Sequence, residues 1–262
     1  MSLLDTAQRT AGPIFKVPAH AMAVAQMAAP EQFGLDPMSF YVLARGAALG
    51  PVGPELIAAS FVWLHPGLIA SSHAAATAKI TAAEAGGYWR ESMYDWARES
   101  LGEFDGRDRL AELLSRVVTS ADGAQSPIFV GWRAGGAPED SSAAVLHHLY
   151  ALRELRSSLH ACAVLAAGLS PAEAVGIRTP WLSEMFGWPA AGGVGDTSRW
   201  EAAERATDVA MSRVFAALGD GERDELADRL DALLAYTGAL WSDDPESPAT
   251  IPQPVPASAS AP

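Results

Sequence analysis

Residues 143–169 form an Ala- and Leu-rich run with no proline and no glycine before Gly168. Such a stretch reads as one long helix, with Val145, Leu152, Leu155, Leu159 and Cys162 on one side. From residue 161 it is apolar all round, which predicts burial on every face and makes Cys162, the chain's single cysteine, a buried thiol. A long buried helix needs other helices around it, and the rest of the chain supplies them. Asp36-Pro37 and Gly53-Pro54 each pair a capping position with a proline at the first helical position. Ser170 and Glu173 read as a capping box, and leucines 226, 230, 233 and 234 repeat with a helical period. Only 126–132, "SPIFVGW", looks extended. The expected fold is all-α: a multi-helix bundle with helical hairpins around a central long helix, leaving room for an internal pocket.

The 262 residues suffice for one large domain or a main domain with a small one. We expect a flexible N-terminus over 1–11, a main helical domain over 12–175, C-terminal helices over 176–241 and a disordered Pro/Ser/Ala tail over 242–262. No leader pattern opens the chain and no uncharged apolar stretch is long enough to span a bilayer, so a cytoplasmic protein without a membrane partner is expected. A net charge of −13 repels nucleic acid, which is therefore expected not to be a partner.

Within the long run, "LRELRSSLH" places Arg153, Arg156 and His160 at i, i+3 and i+7, within about 60° of one another on a helix. Cations beside a buried segment need a partner. Either an internal carboxylate supplies it, with Glu91, Asp95 and Glu184 as candidates, or a polar or anionic ligand does. A second constellation lies in 40–68. Tyr41 and Arg45 share one helix face, and Phe61 shares the next with His65 if that helix continues so far. The "GPVGP" turn makes the two helices a hairpin. His20 adds a polar side chain among small apolar ones. No phosphate loop, Cys-x-x-Cys, His-Glu-x-x-His or Gly-x-Ser-x-Gly motif is present. The adjacent His147 and His148 point about 100° apart on a helix and make a poor metal clamp. No metal or cofactor is expected.

The strings "ARGAALGPVGPELIAASFVWLHP" and "ALRELRSSLHACAVLAAGLSPAEA" resemble the SalK-like proteins of actinomycetes, usually described as helix-turn-helix or MarR-like and in some cases encoded among natural-product genes. The likeness covers roughly 15–175 and falls on His20, Arg45, Phe61, Pro66, Arg153, Arg156 and His160. The chain departs from that pattern after Gly187-Trp188, where about ten residues lead to the final helices and a recognition helix and wing do not fit. The expectation is a small-molecule pocket protein of specialised metabolism. It would act as a cofactor-independent acid/base enzyme (isomerase, cyclase or lyase) on a largely apolar substrate with a polar or anionic handle. Tyr41, Arg45, Phe61, Arg153 and Arg156 would bind that substrate, and His20, His65 and His160 would move its protons. A homodimer is left open. The alternatives are a degenerate MarR-type transcriptional regulator and a helical interaction protein.

Overall fold

The computed structural model describes residues 1–189 and 197–238; among them there is no strand. The chain is all-α. It opens with α1 (Leu3–Phe33) and the short helices α2 (Pro37–Gly46), α3 (Pro54–Phe61) and α4 (Pro66–Thr77). The longer α5 (Ala82–Leu101) and α6 (Arg107–Ser120) follow, and α7 (Pro127–Ala134) connects them to α8 (Ser141–Ala166). Then come α9 (Pro171–Arg178), α10 (Thr197–Ser212) and α11 (Asp220–Gly238). The tail expected from 242 lies outside the described residues.

The caps form where the sequence places them. The Asp36 carboxylate accepts from the Met38 and Ser39 amides at 3.1 and 2.9 Å, and Pro37 sits where no amide is needed. Ser170 and Glu173 form the capping box of α9, and Thr81 and Glu84 form another at α5. The long run is α8. It lies at the centre, packed by α1, α5, α6, α7 and α10. Val145, Leu146, Leu149 and Leu152 are fully buried, as are the Trp89–Met93 face of α5 and Leu110, Leu113, Leu114 and Val117 of α6.

Four local expectations change. Residues 1–11 begin α1 rather than forming a loose leader, although Pro13 and Pro18 follow within the helix. Each proline removes a backbone hydrogen bond, but Ile14, Val17 and Ala21 are fully buried, and that packing outweighs the loss. Carboxylates more than 200 residues away fix the start: Arg9 pairs with Asp228 and Asp231, each at 2.7 Å, and the terminal amine with Asp224 at 2.9 Å. The stretch 126–132 is helical, since Pro127 opens α7 and Trp132 stacks against His147. The end of α8 is covered on one side only. Ala161 and Val164 are buried, but Cys162 and Leu165 face solvent. Finally, α3 stops at Phe61, and His65 caps α4, accepting the Gly67 amide on Nδ1 at 3.0 Å.

The stop of α3 has a cost. Val62 follows it with φ +59° and ψ −50°, a conformation a β-branched residue adopts only under strain. Replacing Val62 by glycine is expected to raise stability by about 1 kcal/mol in urea melts, relief of strain exceeding the extra chain entropy of glycine. A loss of about 1 kcal/mol or more would show that the valine's packing dominates.

Candidate functional site: a helix-turn-helix unit on a buried charge cluster

The cationic residues of α8 and α2 divide into separate groups. The first centres on Glu154. Its carboxylate takes Arg45 in a two-pronged contact, Nη2 at 2.6 Å and Nε at 3.2 Å, and takes Arg153 Nη1 at 2.9 Å. The Tyr150 hydroxyl donates to it as well. Arg45 also donates to the Tyr41 hydroxyl at 3.0 Å and lies 4.1 Å from the Phe61 ring centroid. Arg45 and Glu154 have side chains only 4% and 1% exposed. Burial works against the ionised form of both. For Glu154 the charges of Arg45 and then Arg153 more than reverse it and hold its pKa low. For Arg45 the carboxylate likewise keeps the guanidinium charged. Tyr41, Arg45, Phe61 and Arg153 are thus brought together by a carboxylate inside "LRELRSSLH" itself.

The remaining expected site residues lie elsewhere. Arg156 reaches α10, at 3.0 Å from Glu204 and 3.7 Å from Asp208. His160 Nδ1 is 2.9 Å from the Thr207 hydroxyl, and its ring lies between Trp63 and Trp200, with centroids at 5.6 and 4.9 Å. Burial lowers the His160 pKa, partly offset by Glu204. His65 faces Trp188 with centroids 4.9 Å apart, and His20 meets Trp96 edge-on at 6.3 Å. A cavity of about 390 Å³ between α2, α5, α7 and α8 is lined by Arg45, Arg90, Glu91, Trp132 and Tyr150. Of the eight residues expected at a site, Arg45 alone lines it. No cluster of three or more His, Cys, Asp or Glu side chains suited to a metal occurs among the described residues.

The charge cluster supports a different feature. Phe61 and Tyr41 lie on the helices beside α4, and α2 packs against α4. The eight-residue α3, a four-residue turn over 62–65 and the twelve-residue α4 form a helix-turn-helix unit. Its turn is tied to the rest of the protein. The Trp63 indole donates to Ser157 of α8 at 3.4 Å, the Trp188 indole donates to the Trp63 carbonyl at 2.6 Å, and the His65 amide donates to the Phe186 carbonyl at 2.8 Å. α4 buries Ile69, Ser72 and Ala76 as one stripe and exposes Ala70, Ser71, Ala74, Ala75 and Thr77.

Charge is distributed unevenly along the sequence. Residues 1–83 hold four Lys/Arg and four Asp/Glu, so the whole net −13 falls on 84–262. Between Glu55 and Glu84 there is no acidic residue at all. An argument from the chain's total charge averages over this difference, so it says nothing about the field at α4.

Two helices joined by a short turn are the arrangement of the helix-turn-helix class, in whose DNA-binding members the second helix enters a groove. The comparison with known families agrees: a helix-turn-helix family model matches residues 5–239, and the chain belongs to that family. No curated protein and no solved structure matches the chain. Family membership overturns the expectation that nucleic acid is excluded as a partner, which had rested on total charge and on the missing C-terminal wing. Among the described residues no single helix is long and apolar enough to cross a membrane.

Proposed function

We propose that this protein is a DNA-binding regulator that reads a duplex with α4, positioned by α2 and α3. The observation that carries this reading is a helix-turn-helix unit whose second helix holds no acidic residue and whose first holds only Glu55, in a chain of net charge −13. Ser71 and Thr77 offer hydroxyls able to meet base edges or phosphates, and the alanine methyls between them suit thymine methyl groups. The Arg45–Glu154 pair joins α2 to α8 and sets the angle at which the unit leaves the bundle. The SalK-like resemblance, carried by Arg45, Phe61, Pro66 and the α8 motif, supports the same assignment. The acid/base enzyme reading receives less support. His20 meets Trp96, whereas His65 meets Trp188 and His160 lies between Trp63 and Trp200.

Selection from a random duplex library followed by fluorescence anisotropy tests the proposal. The full chain is expected to enrich a defined sequence, with affinity falling steeply as salt rises. Ser71→Glu, which puts a carboxylate on the exposed face, is expected to weaken binding at least about tenfold with the helical signal unchanged. A chain that enriches no duplex would sink the proposal.

A further inference from the structure

The chain contains the same segment order twice. "HAMAV" at 20–24 returns as "HACAV" at 160–164, "GLDP" at 34–37 as "GLSP" at 168–171, and "RDRLAELL" at 107–114 as "RDELADRL" at 223–230. The identities are four of five, three of four and five of eight, in the same order along each half.

Equivalent segments occupy equivalent places. The first pair lies in the long helices α1 and α8, with His20 fourteen residues before Gly34 and His160 eight before Gly168, so it matches in order but not in register. The second builds the same junction twice: a left-handed glycine (Gly34, φ +62°; Gly168, φ +78°), a leucine 3% exposed (Leu35; Leu169), a capping side chain (Asp36; Ser170) and a proline opening the next helix. Both short helices, α2 and α9, lead into a single 3₁₀ turn, Ala47–Leu49 and Pro180–Leu182. The third pair lies in α6 and α11.

Packing repeats in the same way. α1 packs against α5, α10 and α11; α8 packs against α10, α5 and α6. Exchanging the halves turns one set of neighbours into the other. The long helix of each half is covered by the last helix of the other half, which is how two intertwined subunits pack. Where α6 meets α11, the matched positions are Arg109 and Glu225, and they form an ion pair at 3.0 Å. In a pair of identical subunits that position would set like charge against like. Here one copy carries the cation and the other the anion, so each half is fitted to its partner within the chain.

One element is not repeated. In the first half, 32 residues separate the 3₁₀ turn from α5, and they hold α3 and α4. In the second, 14 residues separate the turn from α10, too few for a second helix pair of that length.

From this we infer that the protein is an internally duplicated, single-chain counterpart of a two-fold helix-turn-helix dimer that keeps one reading unit, so that one chain engages one half-site of an asymmetric DNA sequence. The α8–α11 half takes the structural place of a partner subunit. The inference rests on the DNA-binding reading above and adds the stoichiometry and symmetry of the site. Paired helix-turn-helix proteins read two half-sites about 34–36 Å apart, related by inversion; among the described residues there is no second α3–α4 pair to meet the other half-site.

Native mass spectrometry and hydroxyl-radical footprinting of the full chain on its selected duplex test this. The expected result is one chain per duplex, a single protected segment within about one helical turn and no inverted repeat in the selected sequence. Ser71→Glu should weaken that one-chain complex at least about tenfold. Two chains on an inverted repeat would overturn the inference while leaving DNA binding by α4 standing. A one-chain complex indifferent to Ser71→Glu would overturn it too, since the reading element would lie outside the first half. Failure to bind any duplex would overturn both this inference and the DNA-binding proposal.

Discussion

Acidification from pH 7 to pH 4 is expected to unfold the protein from the middle of α8. Two adjacent histidines are buried there, and both are held neutral. Burial, then the neighbouring His148 and Arg90, lowers the His147 pKa to about 3, and burial lowers that of His148 to about 4. His147 Nδ1 lies 2.7 Å from the Tyr94 hydroxyl, while His148 Nδ1 has no hydrogen-bond partner among the described residues. Each imidazole binds its proton less readily in the folded chain than in the unfolded one, where the ordinary value is about 6.5. Their contribution is therefore complete above about pH 6.5 and is lost as the pH falls through the window down to 4 and 3. At about 1.4 kcal/mol per pH unit for each group, pH 4 removes on the order of 3 kcal/mol per histidine, against a total stability of about 5–15 kcal/mol. Urea melts at pH 7, 6, 5 and 4 measure it. His148→Leu should roughly halve the slope of stability against pH. An unchanged midpoint from pH 6.5 to 4 would show that both imidazoles take up protons in the folded state.

The same two histidines show what the sequence could disclose. The helix that carries them was legible from its length and lack of breakers. So were the starts of α2 and α3 and the capping box at Ser170, because a cap and a following proline are local devices whose effect depends on a few neighbours; the expected hairpin of those two helices did not form, since α2 packs against α4 and α5. What escaped depends on residues far away in the chain. The order of residues 1–11 rests on Asp224, Asp228 and Asp231. The partner of Arg153 was sought in Glu91, Asp95 and Glu184, but Glu154 stands beside it. Neighbours on a helix leave the axis about 100° apart, yet an arginine long enough to swing back meets the adjacent carboxylate. The signal for Glu154 was there: it is the one acid in 143–169, and a buried acid must have a cation to justify it. The duplication was also readable by comparing the chain with itself.

Removing the Glu154 carboxylate is expected to have the largest effect of any single substitution in α8. Glu154→Ala strands the guanidinium of Arg45, whose side chain is 4% exposed, and takes away the acceptor of the Tyr150 hydroxyl. An uncompensated buried charge of this kind costs about 3–5 kcal/mol. Arg153→Ala should cost less, because it leaves Arg45 and Glu154 as a neutral pair and removes a cation that is 13% exposed, over the Phe15 ring at 4.7 Å. The difference between these two arginines distinguishes an internal lock from a ligand site. A ligand-facing cluster would tolerate loss of Glu154 or even gain stability, since acid and cations would both be held for an absent guest. The double variant Arg45→Met with Glu154→Leu, which replaces the pair by apolar groups, should recover most of the stability lost in Glu154→Ala. Denaturant melts of that double variant, its two single variants Arg45→Met and Glu154→Leu, and the unmodified chain give the coupling, and a pairwise term of several kcal/mol is expected for groups in contact and fully desolvated. If Glu154→Ala melts within about 1 kcal/mol of the unmodified chain, Arg45 reaches water without its partner. In that event the link between α2 and α8 does not set the position of the helix-turn-helix unit. If the loss is as large as expected but the double variant is equally unstable, the geometry of the pair rather than its charge fixes the end of α2. The unit on α3 and α4 would then lose its orientation in both chains.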